Sequence, residues 1–178
     1  MEPVDLFKES LEWLKNSYSK YEFFTERDIV WTIQMHLRDK IKLIPSYKIV
    51  NDWPMKKGQR RSLCADLAIL QNDQVRLIAE FKYEPDHKRK QDFSENKFNQ
   101  SVVFWSGEHS VETDITRIRQ FSANKEICKN VIGVAVFIDE GGKFYNGQKT
   151  FLGSRWEKWS KKTAALISWS NDCDFREI

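Results

Sequence analysis

Leu63–Tyr83 reads LCADLAILQNDQVRLIAEFKY, and the fold turns on how this stretch is read. Two apolar runs, Leu63–Leu70 and Val75–Tyr83, flank the polar segment Gln71-Asn72-Asp73-Gln74. Short apolar runs followed by turn residues predict two adjacent strands joined as a hairpin. Into these runs the chain places Asp66, Glu80 and Lys82. Charges in a buried strand are costly unless they are paired or bind a cation. The conflict between apolar pattern and charge is the first pointer to function.

Periodicity sketches the geometry. If the turn centres on Asp73, Asp66 stands opposite Glu80 with Cβ atoms about 5 Å apart. Moving the centre by half a residue sets Asp66 against Ala79 and breaks the pair, so the site depends on the register. Glu80 and Lys82 point to the same side of their strand in either case. In the first register two carboxylates converge beside one ammonium. Hard oxygen ligands of this kind suit Mg²⁺ or Mn²⁺, which take few protein carboxylates and keep several waters.

A chain of 178 residues is expected to form one domain, 1–178, with a substantial core. No segment approaches the roughly 20 apolar residues of a membrane span, and the N-terminus lacks a signal-peptide apolar region. The expectation is a cytoplasmic protein with no membrane partner. Cys64, Cys128 and Cys173 are widely spaced without a CxxC, so neither a disulfide framework nor a zinc site is indicated, and reduced, buried thiols are expected. Net charge is only +3, yet the basic residues are grouped. Lys56, Lys57, Arg60 and Arg61 precede the Asp66 strand, and His87, Lys88, Arg89 and Lys90 follow Lys82. Basic loops at both ends of a carboxylate hairpin suit a phosphate backbone. The bland alternative is two solvated loops.

Before the hairpin, Val4, Phe7, Leu11, Leu14 and Tyr18 fall at helical spacing and predict an amphipathic helix over residues 3–18. Thr25 with Asp28 three residues on predicts a capped second helix whose stripe runs Val30, Ile33, Leu37, Ile41 and Ile44. Glu26 continues that stripe backwards, which makes it either a site residue or a favourable first-turn acid. His36 beside the stripe is expected to be packed or solvated rather than a ligand. Ser46–Asn51 reads as a short strand.

After the hairpin, residues 84–100 read as a long loop or exposed helix, and Val102–Trp105 as an extra strand or buried crossing. Asp114–Cys128 carries Ile115, Ile118, Phe121 and Ile127 near helical spacing, and Val131–Ile138 is a buried strand. Trp156 and Trp159 lie one helical turn apart and predict a packing helix. No Walker or GxGxxG spacing and no internal repeat is present.

The order helix, strand, strand, strand, helix, strand, with Asp66 on the second strand and Glu80-Phe81-Lys82 on the third, resembles the PD-(D/E)XK nuclease superfamily. The resemblance covers roughly residues 25–138 and implies an α/β fold with a restriction-endonuclease-like αβββαβ core, a mixed sheet flanked by helices. Glu26 matches the acid that many members place on the first core helix. Arg117 or Gln120 matches the polar residue often supplied by the helix after the motif. The residue before Asp66 is Ala65 rather than Pro, which lowers the specificity of the match. The 31 residues between Lys82 and Asp114 imply an insertion. A second Glu-x-Lys, Glu95-Asn96-Lys97, lies in a polar stretch and shows how readily the tripeptide arises.

The resemblance implies a Mg²⁺- or Mn²⁺-dependent phosphodiester hydrolase acting on nucleic acid, with DNA expected ahead of RNA. Asp66, Glu80, the Phe81 carbonyl and, as a further candidate, Glu26 would hold the metal, and Lys82 would position the nucleophile. Arg117 and Gln120 join the basic loops as candidate nucleic-acid contacts. Specificity would come from loops, a homodimer or a partner protein. Three alternatives stand beside this: an inactive nucleic-acid- or protein-binding module on the same fold, a non-nuclease metal hydrolase, and a purely structural Asp66–Lys82 ion pair.

Overall fold

The computed structural model describes residues 1–55, 64–87, 101–123 and 130–170. Lys56, Lys57, Arg60, Arg61, Lys88, Arg89, Lys90, Cys128, Cys173 and the Glu95-x-Lys97 copy lie outside the described residues. The elements run α1 (Pro3–Ser17), a 3-10 turn, α2 (Glu26–Ile41), β1 (Tyr47–Pro54), β2 (Cys64–Gln71), β3 (Gln74–Glu84), α3 (Val111–Ala123), β4 (Ile132–Asp139), β5 (Ser154–Lys158) and β6 (Ala164–Trp169). The fold is mixed α/β, with one six-stranded sheet in the order β1-β2-β3-β4-β6-β5. β3 and β4 are parallel, joined through α3 as a strand–helix–strand crossover requires, and every other pairing is antiparallel.

Alternation along β3 divides the molecule into layers. Leu77, Ala79, Phe81 and Tyr83 enter the larger core with Phe7, Leu14, Ile33 and Leu37 of α1 and α2. Ile78 lies on the opposite face against Ile118 of α3. Each fully buried Leu, Ile or Phe contributes about 1.5–3 kcal/mol of transfer free energy, so this double-sided burial holds β3 at the centre of the sheet. Gly133 of β4 lets α3 come close: a Cβ there would meet Ile118 Cγ2 at 2.4 Å and Ser122 Oγ at 2.5 Å. The same even-numbered face of β3 carries Glu80 and Lys82 towards α3.

Several expectations are corrected. The second helix stops at Ile41, and Ile44 is exposed rather than part of its stripe. β1 continues through Asn51–Pro54 instead of ending there. Of the two forms expected for Val102–Trp105, the strand does not form and the crossing does, with Phe104 buried among Phe137, Phe144 and Phe151. Cys64 is only half-buried. Trp156 and Trp159 are not on a helix: Trp156 belongs to β5 and Trp159 follows it. Their rings serve different layers, Trp156 against Phe137 and Trp159 against Tyr18, which one helix face would not allow. His36 is packed, stacked on Trp13 at 3.9 Å. Among the described residues no helix is long and apolar enough to cross a membrane.

Candidate active site

The hairpin turn is a two-residue turn, Asn72-Asp73, with φ of 51° and 61°. Positive φ at both positions matches the twist of the flanking strands, and Asn and Asp tolerate it. Such a turn centres half a residue before Asp73, the register that would set Asp66 against Ala79. A bulge cancels the offset. Leu70 pairs with Val75, but Ile69 pairs with Leu77, so β3 holds Arg76 as an extra residue. Beyond the bulge Leu67 faces Ala79, and the same register carries Asp66 to Glu80.

The β2–β3 ladder ends at Leu67 and Ala79, while β3 continues against β4 to Glu84. Asp66 and Glu80 therefore sit where two strands part. Asp66 Oδ2 accepts the Phe81 amide at 2.7 Å, a side chain standing in for the ladder partner. The Phe81 ring turns into the core, 6.2 Å from Phe7.

Two helix starts close the cluster. Thr25 caps α2 reciprocally with Asp28, the Thr25 amide donating to Asp28 Oδ2 at 2.8 Å, and this fixes Glu26 as the first helical residue. Glu26 Oε2 lies 3.9 Å from Lys82 Nζ. On α3, Ser110 Oγ accepts the Thr113 amide at 3.1 Å, and Asp114 follows in the first turn. Asp114 Oδ2 pairs with Lys82 Nζ at 2.9 Å, and its Oδ1 accepts from Arg117 Nη2 at 2.8 Å. The same Arg117 nitrogen pairs with Glu80 Oε1. Six charged side chains thus form one chain of contacts from Glu26 through Lys82, Asp114, Arg117 and Glu80 to Asp66.

Burial and mutual repulsion set the protonation. Burial, then the Asp66 charge and a hydrogen bond to Asp66, push the Glu80 carboxyl from 4.5 up to about 9, against the pull of Arg117. Asp66 is raised by burial, while hydrogen bonds from Glu80 and the Phe81 amide hold it down part of the way. The Asp66–Glu80 pair therefore shares a proton. Burial, opposed by Lys82, brings Glu26 to about 8, although 35% of its side chain still meets solvent. For Lys82 burial works against the ammonium, but Glu26, Asp114 and Glu80 outweigh it and the pKa is raised.

The donor set suits a divalent cation. Four carboxyl groups face two basic groups in the contact chain, so acids outnumber bases two to one there. Asp66 and Glu80 meet directly and resolve their repulsion with a shared proton, and such a pair has the chemistry of hard-cation ligands. Among the described residues no three His, Cys, Asp or Glu side chains form a ready-made ligand group. Two carboxylates with water and substrate oxygens completing the shell is the usual arrangement for Mg²⁺.

The structure brings together Asp66, Glu80, Lys82, Glu26 and Arg117 of the sequence-derived candidates. Gln120, the other candidate on α3, is exposed. Lys82 pairs with Glu26 and Asp114, so the structural alternative of an Asp66–Lys82 ion pair is not what is built. Asp114 is the residue that sequence reasoning missed, and it is 4% exposed. Its signal was an acid one turn before Ile118 on a buried helix face, the pattern that singled out Glu26. No family model, curated protein or solved structure matches the chain.

Proposed function

We propose that the chain is a metal-dependent nuclease of the PD-(D/E)XK type, with DNA ahead of RNA as substrate. The observation that carries this reading is the Asp66–Glu80 pair at the opening of two strands, with Lys82 one alternate position further along β3. The element order α2-β1-β2-β3-α3-β4 supports it, being the αβββαβ order of that superfamily's core.

In this mechanism Asp66 and Glu80, with the Phe81 carbonyl, would hold Mg²⁺ or Mn²⁺. The ion's chemistry is to polarise the phosphodiester and acidify a water. Glu26 and Asp114 keep Lys82 charged and aimed at the pair, where the ammonium orients the attacking water and stabilises the charge that develops on the phosphate. The bulk of the cluster is already in place before substrate arrives, so little reorganisation is needed. The basic groups around Lys56–Arg61 and Lys88–Lys90 supply sequence-independent phosphate contacts.

Among the described residues no third ligating side chain joins Asp66 and Glu80, which favours a second reading, a binding module that retains the fold without cleavage. One assay separates the two: cleavage of single- and double-stranded DNA and RNA with Mg²⁺, Mn²⁺ or EDTA. The nuclease reading expects metal-dependent products from wild type and none from Asp66→Ala or Lys82→Ala. Cleavage by those variants at the wild-type rate would make the site assignment wrong. Nucleic-acid binding with no metal-dependent cleavage would favour the module.

A further inference from the structure

We propose that Arg117 is an exchangeable counter-ion of the site: it competes with a divalent cation for Glu80, and the displaced guanidinium, tethered at Asp114, turns to a phosphate of the bound nucleic acid. The inference rests on the reading of Asp66 and Glu80 as cation ligands.

The geometry of the Arg117 contacts points this way. Arginine–carboxylate ties that serve structure are typically forked, with two parallel bonds from two nitrogens. Here a single nitrogen, Nη2, serves both Glu80 and Asp114. Nε of Arg117 is buried with no hydrogen-bond partner among the described residues. The guanidinium is therefore held at one corner and leaves donor capacity unused, a poor arrangement for a purely structural tie.

The oxygen that Arg117 takes, Oε1, belongs to the carboxylate that faces Asp66. A divalent ion drawing on that oxygen and a guanidinium on the same oxygen repel one another at a few ångströms inside a partly buried site. The two occupants exclude each other at Glu80. Asp114 then decides where the displaced arginine goes. It sits one helical turn before Arg117, and its other oxygen holds Lys82 at 2.9 Å. Both basic groups thus remain beside the carboxylate pair, held by Asp114 of α3. A planar fork with free donors fits phosphate oxygens better than an ammonium does.

The test is a calorimetric Mn²⁺ titration, without nucleic acid, of wild type, Arg117→Met and Glu80→Gln. If the competition operates, Arg117→Met binds Mn²⁺ about tenfold more tightly than wild type, the size of an ordinary coupling between two ligands. Glu80→Gln loses the binding. In a second measurement, DNA binding by Arg117→Met with Mn²⁺ present loses about one unit of salt slope, as for any lost phosphate contact. Tighter metal binding joined to weaker, less salt-sensitive DNA binding is a pattern that a merely structural role does not produce. Should Arg117→Met fail to fold, Arg117→Gln carries the same comparison. If wild type binds Mn²⁺ through Glu80 but the arginine variants bind no more tightly, the exchange is overturned while the cation site stands. If Glu80→Gln binds as wild type does, the cation-site reading falls, and the exchange with it.

Discussion

Two groups of buried acids lie along the same central strands and are treated in opposite ways. At the end of β4, Asp139 accepts the amides of Lys143, Phe144 and Tyr145 at 3.1, 2.7 and 2.9 Å. Burial still raises its pKa, with those three amides pulling it back. Beside it in register, Glu84 accepts the Val102 amide at 2.7 Å and pairs with His87 and Lys143. These carboxylates fasten loops to the sheet. Four residues earlier on β3, Glu80 meets another carboxylate, and its basic contact among the described residues is an arginine shared with Asp114. Backbone amides cannot leave their acceptor, whereas a shared proton and a shared arginine can be replaced. Burial alone does not mark a functional acid; what distinguishes Glu80 is that it meets a second carboxylate and a shared arginine, where Asp139 meets three backbone amides.

Substitutions test that contrast directly. The largest expected effect is on catalysis: Lys82→Ala and Asp66→Ala each lose about 10³-fold or more in cleavage rate, as removal of a preorganised charge does. Lys82→Ala is also destabilised, because it leaves the buried Asp114 without its ammonium, whereas Asp66→Ala frees one amide but removes a carboxylate repulsion and stays near wild type. Asp139→Ala reverses the pattern. It loses about 3 kcal/mol of stability in chemical denaturation, since three amides are left without their acceptor, while Mn²⁺ binding is retained. Equal destabilisation by Asp66→Ala and Asp139→Ala would erase the distinction.

The pH dependence sharpens the comparison further. Carboxyls whose folded pKa lies above the unfolded value of 4.5 take up protons on folding. Their contribution is therefore greatest near and below pH 4.5 and is lost as pH rises towards about 8 for Glu26 and about 9 for Glu80. In EDTA, the melting temperature is expected to fall across that window, and Glu80→Gln is expected to flatten its upper part. A melting temperature that climbs with pH would contradict the protonated pair. The smallest effect is expected at Gly133→Ala, whose methyl would press into Ile118 and Ser122. It costs about 1–3 kcal/mol and, by shifting α3, lowers activity more than it changes Mn²⁺ affinity.

The hairpin, the capped second helix and the alternation of β3 were legible because each rests on local periodicity or on a short capping pattern. The register was not. Asn72-Asp73 points to a two-residue turn, but the bulge at Arg76 leaves no local mark, and only the sheet as a whole restores Asp66 to Glu80. Asp114 was overlooked although its placement beside Ile115 and Ile118 follows the logic applied to Glu26. The β5–β6 hairpin escaped because SRWEK is short and mostly polar, and its tryptophan spacing imitates a helical turn. Long-range pairing decided each of these cases, and sequence periodicity does not report it.

The central claim is that Asp66 and Glu80 together hold a divalent cation against a phosphodiester. Anomalous diffraction from crystals grown with Mn²⁺ and a DNA oligonucleotide tests it most directly. The expected result is a manganese peak bonded to both carboxylates and to a phosphate oxygen, with the Arg117 guanidinium moved off Glu80. Bound DNA with no manganese peak at the pair, and Glu80 still joined to Arg117, would contradict the account.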